Sequence, residues 1–86
     1  IMTGYELRLW RKGLGWSRDK AAEQLDISLR TYKDYENAPR LKRSIALATV
    51  TLSLQDQLPR FRQNRTSGDK MREMLNVMID DAIHPD

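Results

Sequence analysis

Apolar residues recur every three or four positions in five places along this chain, and each recurrence predicts a helix with one buried face. Leu7, Trp10 and Leu14 form one stripe, which predicts a first helix over Thr3 to Leu14, capped by Thr3 and ended by Gly13 and Gly15. Trp16 is expected to fold back beside Trp10, because an indole is a large source of burial in so short a chain. Ser17 is the next N-cap, and Asp19 lies early enough to favour the positive end of a helix dipole. Ala21, Ala22 and Leu25 give the helix starting at Arg18 a narrow apolar face that another helix can approach closely. The pattern breaks at Asp26. Ile27 anchors the turn and Ser28 caps again; a helix from Leu29 to Glu36 then turns Tyr32 and Tyr35 inward and Leu29, Arg30, Lys33 and Asp34 outward. Leu41, Ile45, Ala48 and Leu52, widened by Leu47 and Val50, predict a fourth helix ending near Ser53. The polar stretch 55–69, with Pro59, Gly68 and the cations Arg60, Arg62 and Arg65, reads as a connection pinned to the core by Leu58 and Phe61. Thr66 or Ser67 can cap a last helix, from about Asp69 to Ile83, with Met71, Met74, Leu75, Met78, Ile79, Ala82 and Ile83 on one side and Val77 off that stripe.

Eighty-six residues allow one small domain with one modest core. Cysteine is absent and no apolar run approaches the length of a membrane span, which excludes disulfides, cysteine-ligated metal and a transmembrane helix. A cytoplasmic protein is expected. Ile1 ahead of Met2 reads as a cloning remnant or a trimming artefact, and the polar start does not resemble a signal peptide. The net charge is only +3, so its distribution matters more than its total. Arg and Lys dominate from Arg8 to Arg65, whereas Asp69, Glu73, Asp80, Asp81 and Asp86 outweigh Lys70 and Arg72 in the tail. The basic part is expected to face an anionic partner and the acidic tail to point away from it.

The stretch from Ser17 to Glu36, SRDKAAEQLDISLRTYKDYE, resembles the helix-turn-helix of the Cro and lambda-repressor-like (XRE) transcription regulators. Ala22 stands where that motif wants a small residue at the helix crossing. Ala21, Leu25, Ile27, Tyr32 and Tyr35 stand where it wants apolar ones, and the closing Tyr35-Glu36 is also typical. One position departs: the motif usually has Gly in the turn, where φ is positive, and here Asp26 stands there, a residue type that tolerates the left-handed region. The resemblance implies an all-α fold, a compact bundle of about four helices containing the helix-turn-helix, plus a C-terminal amphipathic helix. It also carries a structural arginine–carboxylate pair onto Arg11 and Glu36. The expected organisation is a DNA-binding unit over 1–58, a linker over 59–68, and a dimerisation helix over 69–86.

No catalytic constellation survives inspection, so no enzyme activity, metal or cofactor is expected. His84 is the only histidine and suits the last carbonyls of a helix better than a metal or proton transfer. Asp80 and Asp81 are neighbours, about 100° apart on a helix, and form no facing acid–base pair. The glycines at 13 and 15 lack the rest of any phosphate-loop fingerprint. Nucleic-acid recognition remains. With the helix from Leu29 in the major groove of double-stranded DNA, Leu29, Arg30, Lys33 and Asp34 can reach base edges. Arg30 is the foremost reader; Asp34 can accept from cytosine but suits the orienting of Arg30 at i+4 better, and Lys33 suits solvent or a phosphate better than a base. Ser17, Arg18, Ser28 and Thr31 at helix starts, and Arg40, Lys42 and Arg43 in the loop beyond, are expected to meet phosphates. The expected function is a small phage or mobile-element repressor binding a palindromic operator as a homodimer through Met71, Met74, Leu75, Met78, Ile79, Ala82 and Ile83. Packing of that helix onto its own domain is the competing arrangement. The alternative function is an antitoxin or other interaction module whose last helix grips a partner protein, a use that methionine-rich faces suit.

Overall fold

The computed structural model describes residues 2–83. Five helices, α1 (Gly4–Gly13), α2 (Arg18–Gln24), α3 (Leu29–Glu36), α4 (Arg43–Gln63) and α5 (Gly68–Ile83), account for all the regular structure among the described residues. The helix starts follow the capping residues. Thr3 accepts from the Glu6 amide while the Glu6 carboxylate accepts from the Thr3 amide, a reciprocal capping box. Ser17, Ser28 and Ser67 accept from the amides of Lys20, Thr31 and Lys70 in the same way. Lys42 precedes α4 without a side-chain cap.

Three of the helices end alike. After α1 the Gly15 and Trp16 amides donate to the carbonyls of Lys12 and Arg11; after α2, those of Asp26 and Ile27 to Glu23 and Ala22; after α4, those of Arg65 and Thr66 to Arg62 and Phe61. Each is the pair of bonds of a Schellman cap, which needs a left-handed residue just past the helix. Gly15 (φ 74°), Asp26 (φ 57°) and Arg65 (φ 50°) supply it. Asp26 thus adopts the conformation for which the motif usually has glycine.

Leu7, Ala21, Ala22 and Tyr32 are buried at the centre, with Trp10, Trp16, Leu25, Ile27, Tyr35, Leu41 and Ile45 packed around them. The two indoles meet edge to face, their ring centres 5.5 Å apart, and the Trp10 indole N–H donates to Ser53 Oγ of α4 at 2.9 Å. Gly4 lies directly on the end of α3. A Cβ there would stand 2.4–2.6 Å from the carbonyl oxygens of Tyr35, Glu36 and Ala38, so only glycine allows this approach. Its amide donates to the Ala38 carbonyl at 3.0 Å, and the Leu41 amide to that of Met2 at 2.9 Å, fastening the loop after α3 to the start of α1.

The structure corrects the reading of the chain beyond Ser53. α4 does not stop there but runs through Pro59 to Gln63, so the connection to α5 is residues 64–67 rather than 55–69. Leu58 is exposed and pins nothing, while Phe61 is half-buried. The buried positions of α4 are Ala46 and Thr49, and Leu47 is exposed. The Thr49 hydroxyl donates to the Ala46 carbonyl at 2.7 Å, which satisfies it in the interior. The predicted stripe misjudged α4 because the head of the molecule covers one side of it and α5 another.

α5 packs along α4. Ala82 is buried and Met71, Met74, Leu75 and Met78 are half-buried, whereas Val77, Ile79 and Ile83 are exposed. The single stripe expected for an interface is therefore divided between its own α4 and solvent. The expectation for His84, like those for Ile1 and Asp86, lies outside the described residues.

Candidate nucleic-acid interface

α3 is presented by two helices. Its inner side is seated by Tyr32 against Leu7 of α1 and Ala21 and Ala22 of α2, and its C-terminal end is held by Arg11. Arg11 Nε donates to Glu36 Oε2 at 2.7 Å, its Nη2 lies 3.4 Å from Glu36 Oε1, and its Nη1 donates to the Trp16 carbonyl at 3.1 Å. This fork is enclosed, the two side chains being 9% and 5% exposed. Arg18 Nε reaches the same carboxylate from α2, donating to Oε1 at 3.2 Å. Burial pushes the Glu36 carboxyl upward, but hydrogen bonding from Arg11 and the other neighbours outweighs it and holds the group below the usual carboxylate range. The same hydrogen bond raises the Arg11 guanidinium against the cost of its burial. Burial likewise drives the Tyr32 phenol well above its ordinary value; its hydroxyl lies near enough to Glu36 to feel the charge yet makes no hydrogen bond of proper geometry.

On the outer side of α3, Arg30 is the most open charged group, its side chain 88% exposed, with Asp34 Oδ1 at 3.8 Å from its Nε. That spacing is a loose i,i+4 pair that leaves the guanidinium fork open. Leu29 is half-buried at the first turn. Lys33 points to a different neighbourhood, a notch of about 200 Å³ that it shares with Arg8, Arg18, Glu36 and Asn37. Three cations from three helices thus face one small hollow.

The sequence reading missed Arg8. Its signal was the i,i+3 relation to Arg11 on α1, which places both on adjoining faces of one helix.

The remaining candidates divide by what their atoms already do. The hydroxyls of Ser17 and Ser28 are occupied as caps, and Ser28 also donates to Thr31 Oγ1 at 2.9 Å. Arg18 is 46% exposed, so part of its guanidinium stays open to an anion while Nε is held by Glu36. Arg40, Lys42 and Arg43 are exposed around a loop whose backbone is tied to α1. What the arrangement can do chemically is present a forked donor on the exposed side of α3 and, from the same helix, one of three cations gathered at a small hollow, which offers both the base-edge and the phosphate contacts that a duplex requires. Among the described residues no group of acidic, histidine or cysteine side chains could hold a metal ion. No helix among them is long and apolar enough to cross a membrane.

Comparison with known families gives one result that bears on this surface. A family model described as helix-turn-helix matches residues 7–51, a span that begins in α1, contains α2, the turn and α3 entire, and ends within α4. Neither the curated proteins nor the solved structures yield a match.

Proposed function

Because the chain belongs to the XRE-type helix-turn-helix family, and is a DNA-binding transcription regulator of that type, we propose that it is a small repressor of the phage or mobile-element kind that binds a palindromic operator as a homodimer. The observation that carries the reading is the open Arg30 fork on the outer face of α3, with Lys33 of the same helix turned to a hollow that it shares with Arg8 and Arg18. In the major groove Arg30 would grip guanine O6 and N7, with Asp34 orienting it; Leu29 would touch a thymine methyl. Lys33, Arg18, Arg40, Lys42 and Arg43, with the helix starts at Ser17, Ser28 and Thr31, would meet phosphates. Such a protein works where the chromosome is, in the cytoplasm or nucleoid.

One recognition helix reads only a few base pairs, and two of them about 34 Å apart on a two-fold axis would read a palindrome. The exposed Val77, Ile79 and Ile83 of α5 support a second copy as the cover for that face. The dimerisation surface is then this outer row, with Met71, Met74, Leu75, Met78 and Ala82 serving α4 instead.

A gel shift against DNA flanking the protein's own gene is expected to show a sequence-specific complex. Arg30→Ala should relax preference at one base position and leave non-specific affinity largely intact, whereas removing Arg40, Lys42 or Arg43 should flatten the slope of log K against log salt by about 1 each. An equal loss on all sequences for Arg30→Ala would refute its role as reader. Sedimentation equilibrium should find a dimer at micromolar concentration that Ile79→Glu with Ile83→Glu converts to monomer. A wild-type monomer would instead leave α5 to a different protein partner, as in an antitoxin.

A further inference from the structure

We infer that the cavity between α1, α4 and α5 is a binding site for a small apolar organic cation. The cavity has a volume of about 470 Å³, within the roughly 300–1,000 Å³ of small-molecule sites. None of its lining comes from α2 or α3, so it is separate from the DNA-facing surface. Its walls are the Trp10 indole and Leu9 on one side and Val50, Met78 and Ala82 on the other.

Each of the two hydroxyls in the lining already holds one hydrogen bond. Thr49 donates to the Ala46 carbonyl, and Ser53 Oγ accepts from Trp10 Nε1. Beside the Ser53 hydroxyl hydrogen, that leaves Glu6 and Asp81 as the charged groups with capacity for a ligand. One oxygen of Glu6 serves the Thr3 amide and the other does not, and neither Glu6 nor Asp81 has a cationic side-chain partner among the described residues. The lining contains no lysine or arginine. An anion or a sugar phosphate would meet two carboxylates against a single uncommitted hydroxyl donor, that of Ser53. A ligand with an aryl or alkyl body and one ammonium or phosphonium charge matches every group present: the body against the indole and the adaptable Met78 thioether, the charge toward Glu6 and Asp81. Because the walls belong to three helices, such a ligand would join α1 of the head to the α4–α5 pair.

Tetraphenylphosphonium and tetraphenylborate have the same size and shape and opposite charge, which makes them the discriminating probes. In an amide NMR titration of the full chain, the phosphonium should produce saturable shifts at the Trp10 indole N–H and at the amides of Val50, Met78 and Ala82, and the borate should bind severalfold more weakly. Asp81→Asn should weaken phosphonium binding about two- to fivefold, the range for one exposed charge pair. Asp80→Asn removes the same charge from the next residue, which does not line the cavity, and should leave binding unchanged. The assignment is overturned by the absence of saturable phosphonium binding, by borate binding as tightly, by equal effects of the two variants, or by shifts that depend on protein concentration and not on the cation, which would mean that a second copy of the chain fills the cavity.

Discussion

Glu36 is the carboxylate at which three helices converge, and its two arginines are not equivalent. Arg11 is enclosed while Arg18 is half in solvent, so the direction of each truncation can be worked out. Glu36→Gln strands a buried guanidinium that cannot lose its proton, and should cost about 3–5 kcal/mol in denaturant unfolding. Arg11→Met leaves Glu36 with Arg18 and should cost less; the double variant should be less unstable than the sum, and a cycle without coupling would refute the pair as a structural unit. The acid side follows from the lowered Glu36 carboxyl. A carboxylate held below its unfolded value adds stability above that value, near 4.5, and loses it as pH falls through the lower folded one. Over that window wild-type stability should decline with acid more steeply than that of Glu36→Gln. Tyr32→Phe tests the neighbouring hydroxyl: being buried without a hydrogen bond, its removal should be neutral or stabilising, and a loss of about 1 kcal/mol would show that it is bonded after all. At Asp26 the left-handed backbone strains any residue with a Cβ, and Asp26→Gly should raise stability by up to about 1 kcal/mol.

Among the elements, α4 shows what the sequence could and could not tell. The starts of α1, α2, α3 and α5 were legible because Thr3, Ser17, Ser28 and Ser67 combine a capping side chain with an apolar stripe behind it. The ends were legible where the left-handed residue advertises itself, as Gly15 does, or where the family pattern points to it, as at Asp26. Arg65 gives no such signal, and Pro59 gives the opposite one, so the last turns of α4 read as a connection. They persist as helix because Pro59 is exposed, where water can take up the carbonyl left unpaired one turn earlier, and because α5 supplies an apolar partner. Pro59→Ala should stabilise the protein by about 2 kcal/mol, the roughly 3 kcal/mol burden of an interior proline less up to about 1 kcal/mol of restriction lost from the unfolded chain. Thermal melting would check this, and a lower Tm would refute it. On the outer face of α3, helical spacing announced that Arg30 and Asp34 are exposed and one turn apart, but the notch that gathers Arg8, Arg18 and Lys33 depends on how three helices cross, which no local pattern encodes.

For the molecule as a whole, packing is uneven. α1, α2 and α3 enclose a common centre, whereas α5 rests chiefly on α4 and faces α1 of the head across the cavity. The radius of gyration of 13.4 Å exceeds the roughly 12 Å expected for a compact chain of this length, as a helical hairpin extending from a small head would produce. Opening should therefore be stepwise. In native-state hydrogen exchange the amides of α5 should open at lower free energy than those around Leu7, Ala21 and Tyr32. Equal protection throughout would show that α5 belongs to the same cooperative unit as the head.

The edge-to-face contact of Trp10 and Trp16 gives the protein an optical gauge of its own assembly. Two indoles 5.5 Å apart at 82°, one of them tethered to Ser53, hold each other in a fixed asymmetric field, and the aromatic circular dichroism band depends on that field surviving. Because the tether comes from α4 and the partner ring from the turn before α2, the band registers whether α4 is seated on the head, while the far-ultraviolet signal registers only how much helix remains. Ser53→Ala should dim the aromatic band without changing helix content, so that a single spectrum taken at two wavelengths separates loosening of the α4 seat from melting of the helices themselves.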